Sequence, residues 1–298
     1  MQKLLDHIRK RPGMYIGKIG NGSSEHDGIY TLLRRVLNSF ICQLRSHNND
    51  EIRIDIRDSR SVTVVYRSAE IEYIEIIQAL SSAYDISIYS GISYLSFTPD
   101  ETIFKGFSYD EAIVSKMLKS YCYANKGLII RYNDVNLSAP NGLADLISQV
   151  VEDESCQYPV IHLSHSKIEV AFTNKCNRHD KPIYYSFVNG VQTKGGSHQR
   201  ALENALIKAI GNVFWDKDIC PSEIIDGLSA AISIDIADPI YEQANPENLA
   251  TFKLSPEGPD IREFVCNFLS DELSLYLKQH PEVKGLLLSH FTEHAMHM

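Results

Sequence analysis

Apolar residues at Leu4, Leu5 and Ile8 predict a short opening helix, which Pro12-Gly13 ends because proline disfavours helical geometry in the residue before it. Gly17, Gly20 and Gly22, with Asn21, Ser23 and Ser24, predict an irregular loop. After Asp27-Gly28, the residues Ile29, Leu32, Leu33, Val36, Leu37 and Phe40 recur at helical spacing and predict an amphipathic helix. Glu51 to Tyr66 alternates apolar and polar around Asp58-Ser59-Arg60, the pattern of a hairpin with one buried face. Ile71, Ile74, Ile77, Leu80 and Tyr84 mark a helix, and Asp85 to Phe97 a second hairpin turning at Ser90-Gly91. A helix over Tyr109 to Tyr123, a strand over Leu128 to Val135 and a helix over Leu143 to Val151 complete this half.

The acidic, polar stretch Glu152 to Gln157 separates it from a second series. Strands are expected at Val160 to Leu163, Lys167 to Phe172 and Ile183 to Val188, a helix at Ala201 to Phe214 and an alternating strand at Leu228 to Ile236. A long helix over Ile261 to His280 ends at Pro281. The order is mixed α+β, and with 298 residues two cores are expected, with domains at 1–152 and 153–298.

Composition changes this picture little. With 44% hydrophobic and 22% charged residues the chain has an ordinary globular make-up. A net charge of -9 gives no global basic footprint, so DNA binding is not favoured and any such contact must be local. The six cysteines form no CxxC pair, which points to reduced thiols and no metal site. No apolar run approaches about 18 residues, so a cytoplasmic protein without a membrane segment is expected.

Several strings carry a resemblance. IRKRPGMYIG (Ile8 to Gly17) and KIGNGSSEHDGIYTLL (Lys18 to Leu33) resemble the segment that opens the ATPase domain of gyrase B and topoisomerase IV B subunits, the type IIA topoisomerase B subunits. YYSFVNGVQTKGGSHQRAL (Tyr184 to Leu202) and IIDGLSAAISIDIADPIYEQ (Ile224 to Gln243) are similar to their transducer region. FTPDETIF (Phe97 to Phe104) and NGLADLI (Asn141 to Ile147) also fit, leaving about Ile52 to Leu95 outside the likeness. The resemblance implies a reduced GHKL-type (Bergerat) ATPase-like sandwich followed by a ribosomal S5 domain 2-like transducer, with ATP and magnesium as the family's ligands.

It also implies where the chemistry should lie. Aligned from Gly28, Arg35 falls at the family's glutamate general base and Ser39 at its magnesium-binding asparagine. A guanidinium cannot accept a proton from water, and a hydroxyl is a poorer magnesium ligand than a carboxylate or amide. A register shifted by one restores Asn38 but no acid, since none lies between Asp27 and Asp50. Where the family reads adenine with an aspartate-glycine turn, this chain has Tyr66-Arg67-Ser68-Ala69-Glu70, and Glu70 reads better as an acid at a helix N-terminus.

No glycine falls between Ala69 and Ser90, so the phosphate-wrapping loop and lid are not expected. The family's Gln-X-Lys loop reads Gln243-Ala244-Asn245, which puts Asn245 where a lysine would meet the γ-phosphate. No catalytic residue, no metal and no cofactor are therefore expected. His290, His294 and His297 fall near helical spacing, but a metal there is disfavoured.

The family's N-terminal exchange arm has only Met1 to His7 to correspond to it, and no DNA-cleavage domain is expected on this chain. The favoured expectation is a non-catalytic interaction or regulatory module acting on a topoisomerase subunit or, as a homodimer, on itself. A clamp-like DNA-binding accessory and a residual ATP-dependent subunit are the alternatives. Arg9, Lys10, Arg11, Lys194, His198 and Arg200 are the candidate partner or DNA contacts, with an internally paired or solvated face the simpler role for the basic cluster.

Overall fold

Alternation over Glu51 to Tyr66 does close as a hairpin, and three apolar rows that start on it organise the first half of the molecule. The structure is a computed structural model that describes residues 2–44, 51–67, 74–151, 156–176, 180–217, 219–242 and 248–292. The chain divides into two compact units, Met1–Pro140 and Asn141–Met298.

In the first unit, α1 (Gln2–Lys10), α2 (Gly13–Ile16) and α3 (Gly28–Leu44) precede β1 (Glu51–Arg57) and β2 (Ser61–Tyr66). Next come α4 (Ile74–Leu80), β3 (Ser81–Tyr89), β4 (Ile92–Pro99), α5 (Glu111–Ala124), β5 (Ile129–Tyr132) and β6 (Val135–Leu137). The sheet order is β3-β4-β2-β1-β5-β6, with only β1 and β5 parallel. Asp58 and Ser59, and Ser90 and Gly91, all take positive φ, the twist that a tight hairpin turn needs.

Register explains the layer. Ile52, Tyr66, Ser93 and Ile88 form one cross-strand row, Ile54, Val64, Leu95 and Ile86 a second, and Ile56, Val62, Phe97 and Tyr84 a third. Their β2 and β4 members are buried, together with Ile29, Leu33, Val36, Leu37 and Phe40 of α3. The helix expected through Tyr84 stops at Leu80, because the β-prone run from Ser81 pairs with β4 and places Tyr84 opposite Phe97. The single strand expected over Leu128 to Val135 is a hairpin, β5 and β6, turning at Asn133 with positive φ.

The second unit opens with α6 (Leu143–Val150), followed by β7 (Ile161–His165), β8 (Ile168–Asn174), β9 (Ile183–Val188), β10 (Val191–Thr193) and β11 (Gly195–Gly196). Then come α7 (Ser197–Val213), α8 (Pro221–Ile225), β12 (Leu228–Ile234), β13 (Asn248–Leu249), α9 (Ile261–Gln279) and α10 (Pro281–Thr292). The five-stranded order is β10-β9-β12-β8-β7, while β11 pairs with β13 separately. Helices α7 and α9 bury Leu202, Leu206, Val265 and Leu269 with Ala230, Ile232 and Ile234 on one face of β12.

The division between the units falls at Pro140, twelve residues before the expected boundary, because α6 belongs with the second sheet. The Glu169 carboxylate on β8 accepts from the Leu143 amide at 2.8 Å, so the negative charge sits at the N-terminus of α6. Gly142 is required there: a Cβ would lie 2.4 Å from that carboxylate, and its φ is +59°. With α6 on one face and α7 and α9 on the other, β12 is buried at every residue and not at alternate ones, as its pattern had suggested. The long helix ends just before Pro281, as expected, and Pro281 opens a further helix, α10, where a missing N–H costs nothing.

Candidate functional site

The sequence points to the loop before α3, the α3 face and the end of β2. Asp27 anchors the loop: its buried carboxylate pairs with Lys18 Nζ at 3.0 Å and accepts from the Gly22 and Ser24 amides at 3.0 and 3.2 Å. Burial alone would raise this carboxyl, but the Lys18 ammonium and the two amides outweigh it and hold it below the ordinary carboxylate range. Gly20 and Gly22 are needed for the close approach, since a Cβ would lie 2.0 Å from the Asp27 side chain or the Ser108 carbonyl, respectively.

Three side chains of α3 reach back to carbonyls of the preceding segment. Tyr30 donates to Gly22 O at 2.7 Å, Arg34 Nη2 to Glu25 O at 3.0 Å and Arg35 Nη2 to Tyr15 O at 2.8 Å. Arg35 therefore binds α3 to α2 through a charge-assisted hydrogen bond. One turn on, Asn38 accepts from the Tyr121 hydroxyl of α5 at 2.6 Å, and the buried Ser39 hydroxyl donates to Val36 O of its own helix at 3.0 Å.

Tyr66, the last residue of β2, is 2% exposed, and its ring stacks on Phe40 with centroids 3.5 Å apart and planes at 22°. The space between the α3 face and the end of β2 is thus filled by two aromatic rings in close face-to-face contact, a large apolar area removed from water. The sequence carried a signal for this pair, since Tyr66 continues the buried alternation of β2 and Phe40 the apolar stripe of α3.

Among the other candidates, Arg9 is internally held: it pairs with Asp100 and donates to Ala79 O at 2.8 Å. Thr102 bonding, set against a burial penalty and helped by Arg9, keeps the Asp100 carboxyl below its usual range. Lys10, Arg11, Lys194 and Arg200 are exposed.

His198 is not a surface contact. It is fully buried on the first turn of α7, with Nε2 3.1 Å from Thr193 Oγ1 and Nδ1 buried without a hydrogen-bond partner. Thr193 in turn meets Ser186 Oγ at 2.8 Å, so the imidazole ends a hydrogen-bonded chain that ties α7 to β9 and β10. Burial pushes the imidazole down to about 4, so it is neutral near pH 7.

His290 is buried, edge-on to Tyr158 and Phe291. Among the described residues no group of three His, Cys, Asp or Glu could hold a metal ion. Glu70, Gln243, Asn245, His294 and His297 lie outside the described residues. No helix among the described residues is long and apolar enough to cross a membrane.

A helix-covered mixed sheet followed by a second sheet packed between α6 and the α7–α9 layer is the α+β fold of gyrase B ATPase and transducer regions. Gyrase B from Myxococcus xanthus superposes with a TM-score of 0.74 at 20% identity, covering 95% of this chain and 99% of that one. The 43K ATPase domain of Thermus thermophilus gyrase B, in complex with an aminocoumarin, gives 0.72 at 18% identity, covering 98% and 96%.

A family model described as DNA gyrase B matches residues 142–297. The B subunit of DNA topoisomerase 4 from Borreliella burgdorferi is 30% identical over 305 residues, 84% of this chain and 50% of that protein. Its counterpart from Enterococcus faecalis is 23% identical over 373 residues, 95% of this chain and 52% of its own length. The chain belongs to the DNA gyrase B family of type IIA topoisomerase B subunits. It spans about half the length of the curated relatives it matches. The Enterococcus alignment is longer than the 298 residues of this chain, so that relative carries stretches with no counterpart here.

Proposed function

We propose that this chain is a non-catalytic member of its family, an interaction or regulatory module that acts on a type II topoisomerase subunit or on a second copy of itself. The observation that carries this reading is the Phe40–Tyr66 stack beside Arg35 and Ser39. A nucleotide site at this place needs a cavity against α3, a carboxylate to activate water and an oxygen ligand directed at magnesium. The positions assigned to those tasks hold two packed rings, a guanidinium bonded to Tyr15 O and a hydroxyl bonded within its own helix. The residues present do not fit ATP and magnesium.

The same reading accounts for the alignment lengths, because the stretches that relatives carry and this chain lacks are expected to include the lid around the phosphates. The second unit, which the family model matches, then supplies the surface through which the module acts. The test is to add the purified chain to a type II topoisomerase and follow DNA relaxation and co-sedimentation. Co-sedimentation with a topoisomerase subunit, or a self-dimer, with no ATP turnover by the chain alone supports the reading. ATP turnover by the chain alone, or a monomer that neither binds a topoisomerase nor alters relaxation, contradicts it.

A further inference from the structure

The three largely apolar rows of the first sheet, interrupted only by the buried Ser93, do not stop where their cover stops. They run through β1, β2 and β4 and emerge on β3 as Tyr84, Ile86 and Ile88, where Tyr84 is 42% and Ile88 50% exposed. Tyr89 and Tyr94, on the opposite face of the same hairpin, are 77% and 39% exposed. Among the described residues no strand lies beyond β3, which is therefore a sheet edge nine residues long.

Edges of this kind are normally blunted by lysine, proline, shortness or a covering element, because their unpaired backbone groups template further pairing. The opposite edge, β6, follows that rule with three residues. β3, with the sequence SSAYDISIY, has no lysine, arginine or proline, and its one charge is Asp85.

We propose that the free edge of β3 pairs antiparallel with the β3 edge of a second copy of this chain, about a two-fold axis through Ile86. The self-complementarity of the strand selects this occupant and this register. With Ile86 on the axis, Tyr84 of each copy faces Ile88 of the other, an aromatic and β-branched cross-strand pair, while Asp85 faces Ser87 and Ala83 faces Tyr89. Centring the axis on Asp85 instead would oppose two carboxylates. In the Ile86 register every apolar row continues from one sheet into the other, and the contact is isologous, the form that closes a dimer and not a filament. The proposal deepens the reading of the chain as a module acting on itself, and rests on that reading.

The test is sedimentation of the 298-residue chain over a range of concentrations. A reversible dimer is expected, and Ile88→Lys and Tyr84→Glu should each raise its dissociation constant at least tenfold while circular dichroism shows the fold retained. Because these two positions face each other across the axis, an equimolar mixture of the two variants should recover a heterodimer, the introduced ammonium and carboxylate being paired. Val135→Lys on the β6 edge should leave the dimer unchanged. A wild-type monomer at every concentration, a dimer that survives both β3 substitutions, or a mixture that fails to reassociate overturns the pairing. If the monomeric chain still co-sediments with a topoisomerase subunit, the pairing falls and the functional reading stands.

Discussion

The two units retain their ancestry in different ways. In the second, the family-like residues are ones that the backbone itself demands. Asn189 and Gly190 both take positive φ in the β9–β10 turn, and a Cβ on Gly196, at φ +130°, would lie 2.4 Å from the Leu249 amide nitrogen. In the first unit, the loop residues Gly20, Gly22 and Asp27 are constrained in the same way, but Arg35 and Ser39, the α3 positions that the resemblance assigns to chemistry, bond to the Tyr15 and Val36 carbonyls. If the chain is non-catalytic, as we propose, geometry that the fold needs has outlasted residues that only a reaction needs.

The largest effect should come from the aromatic pair. Phe40→Ala removes one ring of a buried stack and should destabilise the first unit by about 4 kcal/mol in urea unfolding. If Phe40 merely bordered an open nucleotide pocket, the loss would be far smaller. Gly196→Ala should cost about 3 kcal/mol in the second unit, from a forced clash and an unfavourable φ together.

Acid should separate the units. His198 has its imidazole held at about 4 against an ordinary 6.5, so between those values the unfolded chain binds the extra proton and the second unit loses stability as pH falls. The full loss is about 3 kcal/mol, and His198→Gln should remove that slope. Asp27 and Asp100, held below 3.8, stabilise the first unit above the ordinary carboxylate range, and their contribution is lost only as pH falls below it. The second unit should therefore weaken first on acidification, followed by its own tryptophan, Trp215. A smaller effect is expected at Arg35→Ala, which loses the bond to Tyr15 O and should cost about 1.5 kcal/mol without changing the second unit.

Much of this architecture was legible in the sequence where one physical rule dominates. The α3 stripe, the hairpin turns at Asp58-Ser59 and Ser90-Gly91 and the strand at Ile183 to Val188 follow from periodicity and turn chemistry. The rule failed where tertiary context decides. Leu228 to Ile236 was expected as a half-buried strand, because its small residues Ser229, Ala231 and Ser233 look polar or neutral until α6 covers them. Tyr84 fitted the helical spacing that begins at Ile71, and only pairing with Phe97 settled it as strand.

The candidate site was legible as a list of positions assigned by resemblance, Arg35, Ser39 and Tyr66, but not as an arrangement. That Tyr66 meets Phe40, or that Arg35 reaches Tyr15, depends on contacts between residues 20 or more positions apart. His198 misled for a similar reason: a polar residue after a glycine pair reads as a surface group, whereas Gly195 and Gly196 pair closely with β13 and His198, two residues on, is fully buried.

The central claim is tested most directly by calorimetric titration of the chain with Mg-ATP and with a non-hydrolysable analogue. Substitution of Arg35→Glu and Ser39→Asn together, which restores the side chains that the resemblance calls for, serves as the companion sample. The account predicts a dissociation constant weaker than about 1 mM for both proteins, because the Phe40–Tyr66 rings occupy the space whatever the flanking residues are. A micromolar dissociation constant for the unaltered chain would contradict it.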